Sequence, residues 1–158
     1  DAGCYPINAS RMLFESEPKG VFCNLTMDKE AQVDTKATLL MDFEGNRQSQ
    51  SSVGYDLEYE SNYGLWASDG SLNLTRAYNI PPDMQARLNI KNSSMDKEIL
   101  IDPVNHFQLM VESFSDEIIK SNSCKYNFEE DLLNQAKVME ACRISNNEKR
   151  YVETKEIK

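Results

Sequence analysis

The sequence predicts a mainly β fold, an antiparallel β-sandwich closed by one C-terminal amphipathic helix. Short stretches of period-two alternation, bounded by turn residues, recur from Cys23 to about Glu112. After Asn127 the apolar spacing lengthens to that of a helix. The length, 158 residues, fits one domain that buries roughly 70% of its unfolded surface. Residues 1–145 are therefore read as a single sandwich domain and residues 146–158 as a charged tail.

Residues 1–20 hold Gly3, Pro6, Pro18 and Gly20 with little periodicity, so they are expected to wrap the surface, pinned by Cys4. A short strand opens at Cys23. From Gln32 the alternation is clean: Val33, Thr35, Ala37, Leu39, Met41 and Phe43 share one face, Gln32, Asp34, Lys36, Thr38, Asp42 and Glu44 the other. Residues 45–52 read as a polar connector, and Ser68-Asp69-Gly70-Ser71 as a turn. Leu72, Leu74, Tyr78 and Ile80 predict another strand, ended by Pro81-Pro82-Asp83. Met84, Ala86, Leu88 and Ile90 predict the next, followed by the Asn92-Ser93-Ser94 turn. Ile99-Leu100-Ile101 is a short apolar run, and Phe107, Leu109 and Val111 alternate with His106, Gln108 and Glu112 as a last strand. Asn127 with Glu130 caps a helix whose stripe is Phe128, Leu132, Ala136, Met139 and Cys142. The stretch from Ser145 to Lys158 is expected to fray.

Between these elements, residues 53–66 are predicted to be a strand of unusual polarity. Val53, Tyr55, Leu57, Tyr59 and Tyr63 share one face, while Asp56, Glu58 and Glu60 form an acidic stripe on the other. Uncompensated like charges in a row suit a cationic partner. The candidate binding residues are accordingly Asp56, Glu58 and Glu60, with Tyr55, Tyr59 and Tyr63 as aromatic anchors.

Composition narrows the partner further. With 26 acidic against 17 basic residues the net charge is −9, which disfavours nucleic acid and anionic membrane surfaces and favours a basic protein. Four cysteines, Cys4, Cys23, Cys124 and Cys142, stand in two separated pairs without metal-ligand spacing, so disulfides are expected. Asn8, Asn24, Asn73 and Asn92 each open a glycosylation sequon. Together these features predict a secreted, extracellular protein.

Catalytic patterns are lacking. The one histidine, His106, is accompanied by no HExxH, GxSxG or phosphate-binding loop, and disulfides would consume the thiols a cysteine nucleophile requires. No enzyme activity, cofactor or metal site is expected. An acidic chain of this length with alternating strands, ending in a helix that carries a cysteine (Leu132-Leu133-Asn134-Gln135-Ala136-Lys137-Val138-Met139-Glu140-Ala141-Cys142), resembles the poxvirus SECRET domains. These are the C-terminal chemokine-binding domains of orthopoxvirus secreted tumour-necrosis-factor-receptor homologues. The resemblance implies a viral decoy that binds basic host chemokines for immune evasion, joined in the full-length protein to receptor-like cysteine-rich domains. A glycosylated adhesion ectodomain or a lipid-carrier barrel are the alternatives.

Overall fold

The computed structural model describes residues 2–120 and 126–158. It is 34% helical and 33% strand, so the mainly β sandwich is corrected to a mixed α/β architecture of two small antiparallel sheets and three helices. The chain divides into two compact units, residues 1–57 with 126–158, and residues 58–125.

The first unit opens with helix α1 (Cys4–Phe14), where a surface wrap is expected. Pro6 lies in its first turn, where the missing N–H costs nothing, and the 3.6-residue spacing of Ile7, Arg11 and Phe14 turns one side inward. Strands β1 (Gly20–Met27) and β2 (Asp34–Asp42) pair antiparallel from Gly20↔Asp42 to Met27↔Asp34. Their inward residues are Val21 and Cys23 on β1 and Ala37, Leu39 and Met41 on β2, the last three, with Phe43 following, being on the face that alternation predicts. The expected polar connector is in fact a 3₁₀ turn, Glu44–Asn46, followed by edge strand β3 (Gln48–Gly54). Its sequence, QSQSSVG, lacks an apolar face, so it carries no alternation signal.

After β3 the chain leaves extended geometry. Asp56 has φ 56°, and Leu57 folds back so that a Cβ on Gly54 would lie 2.7 Å from its Cδ1. The acidic strand is thereby corrected: residues 55–61 are irregular, and a strand resumes only at Asn62.

Helix α3 (Phe128–Glu148) starts where expected, with the Asn127 side chain accepting from the Glu130 N–H at 3.1 Å. Its buried stripe is Val138, Ala141, Cys142 and Ser145, whereas Phe128 and Leu132 are exposed. Only the second half of α3 lies on the apolar core with Val21, Leu39 and Met41; the first half makes polar contacts instead. The expected frayed tail is also ordered. Strand β8 (Val152–Glu153) pairs with β1 through Val21↔Val152, and Val152 is fully buried. The sheet order is β3-β2-β1-β8.

Two features lock this end. Ser145 Oγ accepts from the buried Cys23 N–H at 2.9 Å and donates to the Arg150 carbonyl at 2.6 Å. Replacing Ser145 by Ala strands both groups and should cost about 1–3 kcal/mol, read as a lower urea midpoint at unchanged slope. Gly20 is required beside it, because a Cβ there would sit 2.6 Å from the Tyr151 ring and the Val152 carbonyl oxygen. Burial, and then the neighbouring Asp42 carboxylate, push the Tyr151 phenol up to about 12 from its ordinary value of 10.0. The folded state thus resists an ionisation that the unfolded chain undergoes. The resulting stability is complete below the ordinary value and lost as pH rises from about 10 to about 12. Tyr151→Phe should flatten that alkaline decline, measured as the difference between the two proteins' midpoints across this window.

The second unit is a meander, β4 (Asn62–Ala67), β5 (Gly70–Thr75), β6 (Ala86–Lys91) and β7 (Asp96–Ile101), in the order β4-β5-β6-β7. The Ser68–Asp69 and Asn92–Ser94 turns fall where the sequence places them. Tyr78 and Ile80 are not in a strand. The expected last strand is helix α2 (His106–Ile119), capped by Asn105, whose side chain accepts from the Gln108 N–H at 3.1 Å. No residue of α2 is buried.

Candidate functional site

Helix α1 carries the most distinctive polar arrangement of the first unit. Arg11, only 6% exposed, projects from its inner side. Its Nε and Nη2 donate to the two Glu17 oxygens at 2.6 and 2.8 Å, and Nη2 also donates to Asp131 Oδ1 at 2.8 Å. Nη1 reaches Gln135 Oε1 at 2.9 Å, and Gln135 Nε2 in turn donates to the Cys4 carbonyl at 3.0 Å. The hydrogen bond to Glu17 is the largest influence holding the guanidinium charged, partly opposed by burial. These contacts tie both ends of α1 to α3.

With that side anchored, the opposite stripe of α1 presents Tyr5, Asn8 and Met12 outward. Tyr5 is 51% exposed and stands on the first turn. Gly3, the N-cap, supplies no side-chain cap, and a Cβ there would meet nothing within 4 Å. The phenol is therefore carried on the first turn of a helix whose dipole makes that end electropositive.

The residues singled out from the sequence do not assemble into one acidic face. Asp56, Glu58 and Glu60 are all exposed on an irregular segment, and Asn62 Nδ2 donates to Glu60. Tyr59 lies under the Arg76 guanidinium, 4.3 Å from ring centroid to Cζ. Hydrogen bonds from Ser61 and then Arg76 lower its phenol below the usual tyrosine range. Tyr63 packs at 6.1 Å on Tyr78, and Tyr55 is half exposed, with its N–H donating to the Thr35 carbonyl.

Cys4, Cys23 and Cys142 are free thiols, so the expected bridges are not formed among them; Cys124 lies outside the described residues. Cys23 and Cys142 meet in the core, where their mutual hydrogen bond, reinforced by burial, holds the Cys142 thiol protonated. Asn8, Asn24 and Asn73 are exposed and Asn92 is half-buried. His106 is an exposed first residue of α2, and no cluster of metal-ligating side chains occurs among the described residues.

Comparison with known proteins overturns the viral reading. The family model described as the GFO/IDH/MocA C-terminal domain matches residues 1–73. An uncharacterized oxidoreductase of Rhizobium meliloti is 29% identical over 120 residues, covering 73% of this chain and 36% of the relative. A D-xylose 1-dehydrogenase (NADP(+)) of Haloferax volcanii is 25% identical over 115 residues, 73% of this chain and 35% of the relative. The fold is shared with a mutant of the 3-ketoreductase KijD10 from Actinomadura kijaniata, solved with TDP-benzene and NADP. The TM-score is 0.84 at 21% identity, over 92% of this chain and 46% of that one. The chain thus spans about a third of the length of these curated relatives.

The SECRET-domain resemblance, the chemokine partner, the decoy role and its two alternatives, and the absence of enzyme activity are corrected accordingly: these comparisons lead to oxidoreductases. What the chain has in common with the viral domains is acidity, length and a helix-borne cysteine, none of which specifies a fold.

Proposed function

We propose that this chain is the C-terminal, substrate-side part of an NADP-dependent oxidoreductase that interconverts a hydroxyl and a carbonyl on a sugar or sugar nucleotide. The observation that carries this reading is the oxidoreductase C-terminal-domain match over residues 1–73, the segment that contains α1 and Tyr5. The described residues do not themselves fit a dinucleotide: both sheets are antiparallel throughout, and no parallel βαβ unit with a glycine-rich turn occurs among them. The cofactor accordingly belongs to residues outside this chain, in a longer protein. This chain's own contribution is acid–base chemistry. Tyr5 Oη hydrogen-bonds the substrate oxygen, supplies a proton as the carbonyl becomes an alcohol, and recovers it in the reverse direction. Arg11 acts through α1, as a positioning residue.

The test is an assay of the full-length protein that contains this sequence. Substrate-dependent NADPH oxidation, or NADP reduction, is followed with a panel of aldoses, ketoses and keto-sugar nucleotides. Turnover with at least one member supports the assignment, and none with any member, in a folded protein that binds NADPH, overturns it.

A further inference from the structure

We propose that the outer face of the β4–β7 sheet binds a neutral saccharide, with Trp66 as the platform for one pyranose ring. Trp66 is 96% exposed, an unusual position for the largest apolar side chain. The register explains why it stays uncovered. Antiparallel partners share a face, so Trp66, Ser71, Lys91 and Asp96 form one rung across the four strands. Gly64, two residues earlier on the same face, has no side chain to lean on the indole, and Ser71 opposite is too small to cover it.

The surroundings select the ligand. Lys91 is paired with Asp96 at 3.2 Å and Arg87 with Glu98 at 3.0 Å, so this face offers neither cation unpaired to an anionic ligand. A protein partner would want several apolar anchors, whereas Trp66 is flanked by small and polar residues. Beside it, a cleft of about 440 Å³ opens between the Ser68–Gly70 and Asn92–Ser93 turns, and Asp69 and Asn92 line it. Asp69 has no ion-pair partner among the described residues. An indole face with a carboxylate and an amide at its margin matches a hexose: axial C–H groups lie on the ring, and vicinal hydroxyls donate to Asp69 Oδ. This surface belongs to the second unit and uses no residue of the Tyr5 site, so it stands or falls separately from the proposed activity.

Trp66 is the only tryptophan of these 158 residues, so the emission that differs between the parent and Trp66→Ala reports on this site. The full-length protein that contains this chain would be titrated with cellotetraose and maltotetraose, with AMP as an anionic aromatic control. A saturable shift in Trp66 emission with a saccharide, and none with AMP, is expected. By calorimetry Trp66→Ala should weaken binding at least about tenfold and Asp69→Asn several-fold, while Tyr5→Phe leaves it unchanged. Trp66 supports no core, so its replacement should leave circular dichroism intact. The proposal is overturned by emission that does not saturate with either saccharide, by binding of AMP alone, or by an emission shift that follows protein concentration without sugar, which would assign the face to a second copy of the chain.

Discussion

Tyr5→Phe in the full-length protein is expected to lower kcat by roughly 10²–10⁴-fold, the range a positioned general acid supplies. The substitution keeps the ring on the first turn of α1 and removes only the hydroxyl, so the helix and its contacts to α3 should persist. At a half-exposed position the change in folding stability should stay within about 0.5 kcal/mol. Because the proton moves only as the substrate oxygen changes charge, kcat and kcat/KM should fall together while KM moves little. His106 is an exposed residue of α2, a helix with no buried residue, and His106→Asn should leave kcat unchanged. A Tyr5→Phe enzyme within twofold of the parent would remove Tyr5 from the chemistry without touching the assignment of the chain to an oxidoreductase.

Much of the scaffold was legible where packing imposes a strict period. Of the face read from Val33 to Phe43, Ala37, Leu39, Met41 and Phe43 are buried, because β2 sits between β1 and β3 with helices on one side only, whereas Val33, before the strand begins, is exposed and Thr35 half-buried. The Asn127 cap was legible for a local reason: the side chain and the Glu130 N–H lie three residues apart. Besides β8, in the tail expected to fray, three elements were hidden. Strand β3 is an edge strand of serines and glutamines, whose pairing with β2 comes from backbone hydrogen bonds that leave no apolar trace. In α2, Phe107, Leu109 and Val111 alternate over five residues. Only a longer window, Phe107, Met110, Phe114 and Ile118, reveals the helical period. The chain start was obscured by Gly3 and Pro6, which punctuate loops but also suit a helix's first turn, and with α1 went the candidate site. Conversely, the alternation of residues 53–66 was real in letters and absent in space, since Asp56 turns left-handed and breaks the strand that would have aligned its carboxylates. The spacing of Ile7, Arg11 and Phe14 was the available signal for α1, with an arginine on an otherwise apolar stripe marking a buried, paired charge.

That arginine carries the second large effect. Arg11→Met is expected to destabilise the first unit by about 3 kcal/mol, the low end of what removing one partner of a buried ion pair costs. The low end applies because the partners are not equally enclosed. Glu17 is 46% exposed in its side chain and can be rehydrated, whereas Asp131 is 32% exposed and Gln135 Oε1 would lose its donor as well. Arg11→Lys should recover only part of the loss, since an ammonium cannot span both Glu17 oxygens while also reaching Asp131. The double variant Arg11→Met with Glu17→Gln should be more stable than the sum of the single losses, because one uncompensated carboxylate is removed along with its cation. Urea denaturation of the four proteins closes the cycle. The functional consequence follows from Gln135, which links this network to the Cys4 carbonyl in the turn that carries Tyr5. If the proposed activity holds, Arg11→Met in the full-length protein should therefore lower kcat under conditions where the protein is still folded, and Arg11→Lys should partly restore it. An Arg11→Met protein that matches the parent in both urea midpoint and kcat would show that α1 is held by its apolar side alone.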